Sequence, residues 1–211
     1  MDLQVTNLGK RFQREWIFKG LSADIPQGAF VVVTGANGSG KSTLLKQLTG
    51  AMPQTEGEIV YIENGKQLSI DQWYKQLTFA APYMELIEEF TLLELLQFHF
   101  QFRKPLAGIT IEAMPQLMLL ENQTHKYIAD YSSGMKQRVK LGLAFFTDCQ
   151  MILLDEPGAN LDVNGLAWYR SLIGSYKGNR TLILCSNDEA EYKIKEAEIS
   201  LQINIMDYKT V

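Results

Sequence analysis

A glycine-rich loop, Gly35-Ala-Asn-Gly-Ser-Gly-Lys41-Ser42-Thr43, constrains the fold of this chain more than any other feature. It follows the apolar, β-branched run Phe30–Thr34 and precedes a helical stretch at residues 42–49. Glycines let such a loop turn its backbone N–H groups inward on phosphate oxygens, and the N-terminus of the following helix adds a favourable dipole. The order of strand, loop and helix therefore predicts an α/β fold that contains a phosphate-binding loop, or P-loop.

The P-loop pattern predicts binding of ATP together with Mg²⁺. Lys41 is expected to contact the β- and γ-phosphates, and the hydroxyl of Ser42 is expected to bind Mg²⁺. The residues predicted to bind nucleotide in this loop are Gly35, Asn37, Gly38, Ser39, Gly40, Lys41, Ser42 and Thr43.

Two other apolar runs, residues 151–154 and Thr181–Cys185, resemble the strand before the loop. Because they are hydrophobic on both faces, they predict buried parallel strands. Three earlier segments mix apolar with polar residues and predict an antiparallel layer with one solvated face. They are residues 3–5, 16–25 and 58–62, the last of which is followed by an Asn64-Gly65 turn.

The pattern changes to helical spacing over residues 82–131, which predicts a helical insert. Thr91 is a candidate N-cap and Glu94, three residues later, its capping-box partner. We expect the apolar run Leu92–Phe102 to be core rather than a docking surface. Residues 132–146 predict a second helix, after which the parallel core resumes.

The run 151–154 ends in two adjacent acids, Asp155 and Glu156. In P-loop ATPases one acid holds the Mg²⁺ shell, and a second can polarise the attacking water. We assign Asp155 to Mg²⁺ and Glu156 to catalysis. Adjacent residues of a strand point to opposite sides, so the two acids are not expected to do the same job.

Net charge, the positions of the cysteines and the lack of long apolar stretches argue against several classes of protein. A net charge of −4 argues against a protein that grips nucleic acid by its phosphates. Cys149 and Cys185 both lie beside apolar runs, which suits reduced core thiols better than a disulfide framework. The N-terminus lacks the apolar segment of a signal peptide, and no stretch reaches the roughly 18 apolar residues that span a bilayer, so any link to a membrane is expected to come through a partner.

Two segments resemble the ATP-binding cassette (ABC) proteins. Tyr131-Ser132-Ser133-Gly134-Met135, followed by Lys136-Gln137-Arg138, is similar to the signature motif of that family, whose usual form is LSGGQ. The run from Leu154 to Asp162 resembles the family's Walker B segment and D-loop. The resemblance implies one cassette domain over residues 1–211, with a RecA-like core and antiparallel layer at 1–81 and 148–211 and a helical subdomain at about 82–147.

The resemblance also implies how nucleotide is bound between two subunits. In the family, the residues that match Ser132 and Gly134 cover the γ-phosphate of a nucleotide held by the opposite subunit, so that two chains enclose two nucleotides. An aromatic residue before the first core strand stacks on adenine. Phe12 matches its usual place, and Trp16 is the alternative.

Two positions depart from the family pattern. Asn187 stands where the family has a switch histidine, and it cannot titrate near neutral pH. Pro82-Tyr83 occupies the place of a glutamine near Mg²⁺, and Tyr83 is the better match because relatives often place proline just before that glutamine. With Lys41, Glu156 and Asn187 as catalytic residues, we expect ATP hydrolysis to be retained but slow.

The leading functional interpretation is the energy-coupling subunit of a membrane transporter. It implies membrane-spanning partner subunits, a second ATPase subunit in a homodimer or heterodimer, and a cytoplasmic location at the inner face of the cell membrane. In such transporters the region that matches residues 83–90 receives a helix of the membrane subunit, although ordinary packing of the helical insert explains these residues equally well. A non-transport cassette that acts on nucleic acid or ribosomes, and a regulatory cassette with slow or absent turnover, are the alternatives.

Overall fold

A computed structural model describes residues 1–195 and 197–209 of the chain. The described residues form two β-sheets with helices packed against them. The strands are β1 (Asp2–Phe12), β2 (Glu15–Ile25), β3 (Phe30–Thr34), β4 (Glu56–Glu63), β5 (Lys66–Gln67), β6 (Leu77–Ala80), β7 (Met151–Asp155), β8 (Thr181–Cys185) and β9 (Leu201–Asn204). The α-helices are α1 (Lys41–Leu48), α2 (Ile70–Trp73), α3 (Leu92–Phe102), α4 (Met114–Leu117), α5 (Ser133–Phe146), α6 (Val163–Tyr176) and α7 (Glu189–Tyr192).

The larger sheet is parallel and has the strand order β6-β7-β8-β3-β9. Every residue of β7 and β8 is buried, as is every residue of β3 except the last. This burial on both faces is the reason that these strands are continuous apolar runs. Because the strands are parallel, the carboxyl ends of β3, β7 and β8 lie at one common edge of the sheet, where the P-loop begins.

The smaller sheet is antiparallel and has the order β2-β1-β4-β5. Asn64 and Gly65 have φ values of 51° and 76° and connect β4 to β5, which is the backbone that an Asn-Gly hairpin turn requires. The antiparallel layer predicted for the N-terminal third is confirmed, and its strands are longer than the predicted segments.

Alternation along the buried strands creates two hydrophobic clusters, one on each face of the parallel sheet. Val31 and Val33 face one cluster, which contains apolar residues of α1 and of the antiparallel sheet. Phe30 and Val32 face the other, which contains apolar residues of α3, α5 and α6. Since successive side chains of a strand point to opposite faces, β3 contributes to both clusters. The predicted α/β fold class is confirmed.

The helical insert lies against the second cluster. The side chain of Thr91 accepts a hydrogen bond from the Glu94 backbone N–H, and the Glu94 carboxylate accepts one from the Thr91 backbone N–H, so the predicted capping box is present. The prediction that the whole run Leu92–Phe102 is core was wrong at its C-terminal end. Phe98 and Phe102 lie three and seven residues after the buried Leu95, on the same side of α3, but the other described residues leave their rings uncovered and they are exposed.

Candidate functional site

The P-loop connects the end of β3 to the start of α1 and closely approaches other parts of the chain. A Cβ atom on Gly35 would lie 2.5 Å from Ile205 Cγ2, and one on Gly40 would lie 2.5 Å from Ile17 Cγ2. Both glycines have positive φ, 145° and 109°, which residues with side chains adopt only with strain. Glycine at these two positions is therefore required by the packing and by the backbone.

Lys41, the first residue of α1, is only 5% exposed. Its ammonium group donates to the carbonyl oxygens of Gly35 and Ala36 at 2.7 and 3.3 Å. Because Lys41 begins α1, its positive charge lies at the N-terminus of the helix. The first turn contains no acidic residue that would oppose an anion. Such an end of a helix attracts an anion.

Asp155 is the last residue of β7 and lies at the same edge of the sheet. It is 1% exposed, and neither carboxylate oxygen has a hydrogen-bond partner among the described residues. Burial, followed by the nearby Asp155 carboxylate, raises the pKa of the Cys185 thiol well above its usual value. A buried carboxylate without a partner is costly, and a divalent cation would satisfy this one.

Glu156 follows Asp155 but points elsewhere. It has a φ of 43° and is exposed, while its backbone N–H donates to the Cys185 carbonyl oxygen at 2.9 Å. Strand geometry ends at Asp155, so the two adjacent carboxylates lie in different environments. That the two acids have different roles stays a prediction.

Asn187 follows β8, and its side chain reaches the P-loop. Its Oδ1 accepts a hydrogen bond from the Gly35 backbone N–H at 2.9 Å. The contact joins residues that are 152 positions apart in the chain. The Nδ2 group, the other end of the amide, is thereby left as the donor of this side chain.

Tyr83, rather than Pro82, faces the P-loop and Asp155. Lys46 Nζ lies 4.3 Å from the centroid of the Tyr83 ring, and the carbonyl oxygen of Pro82 accepts from Lys140 Nζ at 2.6 Å. Burial and then the Asp155 carboxylate raise the pKa of Tyr83, whereas Ser42 lowers it. The phenol is therefore a neutral hydroxyl beside Ser42 and Asp155.

The signature segment forms a separate surface at the start of α5. Ser132 is the N-cap, and its hydroxyl accepts from the Met135 backbone N–H at 3.2 Å. A depression of about 300 Å³ lies here, with no P-loop residue in its lining. The lining residues are Ser132, Ser133, Gly134, Met135, Arg138, Asn160, Leu161 and Asp162.

The two aromatic candidates for base stacking lie near the turn between β1 and β2. Phe12 is exposed, with Lys10 Nζ 5.1 Å from its ring centroid. Trp16 is partly buried and is flanked by Arg11 and Lys19. Ile17, next to Trp16 in β2, contacts the P-loop at Gly40, so this end of β2 lies beside the loop.

Loop 156–162, which follows β7, is held by two buried side chains that sequence reasoning missed. Gln137 of α5 donates to the Pro157 carbonyl oxygen at 2.9 Å, and Glu191 of α7 accepts from the Gly158 N–H at 3.0 Å. Each contact is long-range and has no local sequence motif. A buried glutamate at position 191 could have been found only from the position of its helix.

An apolar groove of about 440 Å³ lies beside β6 and α3. Its aromatic and aliphatic lining includes Phe79, Met84, Ile87, Phe98 and Phe102. Most of these side chains are exposed. Exposed apolar patches of this kind mark surfaces that bind other proteins.

Comparison with known proteins identifies the family. The sequence model described as "ABC transporter" matches residues 18–159. The chain belongs to the ABC transporter family. Among relatives, the ABC transporter ATP-binding protein YybJ of Bacillus subtilis is 28% identical over 96% of this chain and 92% of its own length. A protein named for hemin import, HrtA of Staphylococcus aureus, is 32% identical over 76% of each chain.

Solved structures of ABC proteins share this fold. An ABC transporter ATP-binding protein of Pyrococcus furiosus aligns over 100% of both chains with a TM-score of 0.80 and 20% identity. A dimeric ATP-binding cassette in a post-hydrolysis state, bound to ADP and phosphate, aligns over 88% of both chains with a TM-score of 0.73 and 21% identity. Within residues 1–195 and 197–209, no helix combines the length and apolar character needed to cross a membrane.

Proposed function

We propose that this ABC protein binds Mg-ATP at its P-loop and hydrolyses it to power a membrane transporter through ATP-driven dimerisation. One observation carries the proposal. The P-loop, with its buried Lys41, lies at the same sheet edge as the Asp155 carboxylate, which is buried and has no hydrogen-bond partner among the described residues. Together they supply the sites for a phosphate chain and for a cation.

The P-loop would hold the phosphates through its backbone N–H groups and the ammonium group of Lys41. That group now donates to the loop's own carbonyl oxygens, and it would exchange these acceptors for phosphate oxygens. The residues that we propose to bind nucleotide here are those expected from the sequence, namely Gly35, Asn37, Gly38, Ser39, Gly40, Lys41, Ser42 and Thr43.

The cation site fits Mg²⁺ because its ligands are oxygens, the donors that this ion prefers. Ser42 and Asp155 would hold the ion, and Tyr83 adds a neutral hydroxyl nearby. Mg²⁺ would neutralise charge on the β- and γ-phosphate oxygens. A tyrosine in place of an amide changes the donor set of this site, which supports slow turnover.

Glu156 and Asn187 are the catalytic residues that we propose beside Lys41. Glu156 is exposed at the sheet edge, where its carboxylate would polarise the attacking water. Asn187 would donate from Nδ2 to the γ-phosphate while Oδ1 stays on Gly35. Because an amide does not accept a proton near neutral pH, this residue would contribute binding without proton transfer.

Dimerisation would bring the signature surface of one copy onto the nucleotide of the other. The hydroxyl of Ser132 and the backbone at Gly134, at the N-terminus of α5, suit an anion. A related cassette was solved as a dimer bound to ADP and phosphate, which supports dimerisation. Phe12 is the better base-stacking candidate, since it is more exposed than Trp16.

The membrane-spanning partner would dock on the apolar groove, whose exposed Met84 and Phe102 suit an inserted helix. With such a partner, we propose that the chain lies at the cytoplasmic face of a membrane. The names of two relatives mention different cargoes, hemin in one and sulfate or thiosulfate in the other. We therefore assign no cargo to this chain. The negative net charge argues against nucleic acid as a partner.

A regulatory cassette that binds ATP without useful turnover is a second candidate. It is favoured by Asn187 and Tyr83, which stand where the family has histidine and glutamine. Dimerisation with ATP but no phosphate release, even with the membrane partner present, would select it.

Binding of a fluorescent ATP analogue with Mg²⁺ and release of phosphate test the proposal on the purified chain. Lys41→Ala is expected to weaken binding at least about tenfold, because it removes the charge from the P-loop. Glu156→Gln is expected to bind ATP normally, to form dimers and to release phosphate at least about tenfold more slowly. Lys66→Ala, on the distant strand β5, is the control. Equal binding by wild type and Lys41→Ala would overturn the assignment of the site.

A further inference from the structure

Glu191 is a buried carboxyl group that has no role in the proposed binding and hydrolysis of ATP. It lies on α7, four residues after Asn187, and is 6% exposed. Its Oε1 accepts the Gly158 N–H at 3.0 Å, and its Oε2 has no hydrogen-bond partner among the described residues. Burying a charge of this kind is costly, so the position calls for an explanation.

In loop 156–162, Gly158 leaves room for the Glu191 carboxyl group. A Cβ atom on Gly158 would overlap Glu191 Oε1, so any other residue at position 158 would displace either the loop or the Glu191 side chain. The carbonyl oxygen of the preceding residue, Pro157, accepts a hydrogen bond from Gln137 of α5. The same loop touches the signature segment, because a Cβ atom on Gly134 would lie 2.9 Å from the Asn160 carbonyl oxygen.

On its own side, Glu191 belongs to the segment that reaches the P-loop. Asn187 accepts from Gly35, and the Ser186 backbone N–H donates to the Val33 carbonyl oxygen at 3.1 Å. One short segment, residues 186–191, thus contacts the start of the P-loop at one end and loop 156–162 at the other.

We infer that Glu191 is a positioning residue that couples Asn187 and the P-loop to loop 156–162, and through that loop to the signature surface. This inference rests on the proposed ATPase function. Binding of a γ-phosphate near Asn187 would be transmitted through α7 to the loop beside Gly134.

The charge of Glu191 is expected to modulate this contact near neutral pH. Burial, with the Asp188 and Glu156 carboxylates, raises the pKa of Glu191 to about 7, against the lowering effect of Ser186 and the Gly158 N–H. From α6, Tyr169 faces the carboxyl group, and the Arg170 side chain donates to the Ala190 carbonyl oxygen at 2.6 Å. Deprotonation strengthens the bond from Gly158, because N–H donors bind a carboxylate more tightly than a neutral acid.

Steady-state ATP hydrolysis by the purified chain provides the first test. Glu191→Ala is expected to lower kcat about tenfold with little change in KM, and Glu191→Gln, which keeps an acceptor for Gly158, to restore most of it. Between about pH 6 and about pH 8, wild-type kcat should rise through a step that Glu191→Gln lacks. Glu189→Ala is the control, since Glu189 is exposed on the same helix and pairs only with Lys193 in the described residues.

A second measurement does not depend on ATP turnover. Hydrogen–deuterium exchange in the nucleotide-free chain should be about tenfold faster at loop 156–162 in Glu191→Ala than in Glu189→Ala. A chain that binds no ATP but shows this difference would refute the proposed function and retain the contact. Normal turnover, unchanged exchange in Glu191→Ala and an unaltered pH step in Glu191→Gln would overturn the inference alone.

A double-mutant cycle decides between coupling and separate effects. If Glu191 acts through Asn187, the double variant Asn187→Ala/Glu191→Ala should lose no more kcat than the worse of the two single variants. Multiplication of the two single losses would mean that the residues act independently and would contradict coupling.

Discussion

At the scale of single residues, Asn187 stands where we expect the switch histidine of the ABC family. Its two amide ends have different tasks, because Oδ1 is used by Gly35 and Nδ2 is left to donate. A histidine at this position could exchange a proton near neutral pH, whereas the amide cannot. The contribution of Asn187 to hydrolysis is therefore expected not to vary with pH, in contrast to that of Glu191.

Asn187→Asp separates these two tasks. The carboxylate keeps an acceptor for Gly35 but places a negative charge where the γ-phosphate is expected. We predict a loss of kcat of about 100-fold, measured as steady-state phosphate release. Asn64→Asp, in the turn between β4 and β5, is the matched control and should behave like wild type. Wild-type turnover by Asn187→Asp would show that position 187 does not approach the phosphate.

At the scale of secondary-structure elements, α3 depends on its capping box. Thr91→Ala removes the hydroxyl that accepts from the Glu94 N–H. We expect the free energy of unfolding to fall by about 1 kcal/mol, measured by urea denaturation. Thr110→Ala is the control, because the Thr110 side chain makes no cap hydrogen bond. A comparable loss in both variants would mean that the capping box does not stabilise the helix specifically.

Local signals account for the elements that the sequence predicted. β3 and β8 have the predicted bounds because they are uninterrupted apolar runs, each followed at once by glycine or a polar residue. β9 was not predicted, since only one of its residues is buried and it lies at the edge of the sheet. An edge strand has too little periodic signal to be distinguished from a loop.

In the candidate site, too, local sequence signals predicted some features and missed others. The P-loop and the pair Asp155–Glu156 were predictable because their residues are contiguous and their chemistry is local. The Gly35–Asn187 and Gly158–Glu191 contacts were not, because each depends on which strands are neighbours in the parallel sheet. The order β7-β8-β3 places these segments together, and composition or spacing does not determine that order.

At the scale of the whole molecule, the apolar groove is the surface on which a membrane partner is expected. Phe102 is 72% exposed at its rim, and burying an aromatic side chain contributes strongly to binding. Phe102→Asp should reduce co-purification with the membrane subunits at least about tenfold while leaving ATP binding by the isolated chain unchanged. Met206→Asp, at an exposed apolar residue outside the groove, is the control. Equal recovery of partner with both variants would exclude the groove as the docking surface.

The parallel sheet gathers the P-loop, Asp155, Glu156 and Asn187 at the carboxyl ends of three adjacent strands. In evolutionary terms, this arrangement separates the part of the molecule that selection on catalysis constrains from the parts that it leaves free. Substitutions at the opposite edge or on the outer faces of the helices can accumulate without moving these groups. A chain can therefore differ from a relative at most positions, as this one does from YybJ at 28% identity, and still present the same edge to a nucleotide.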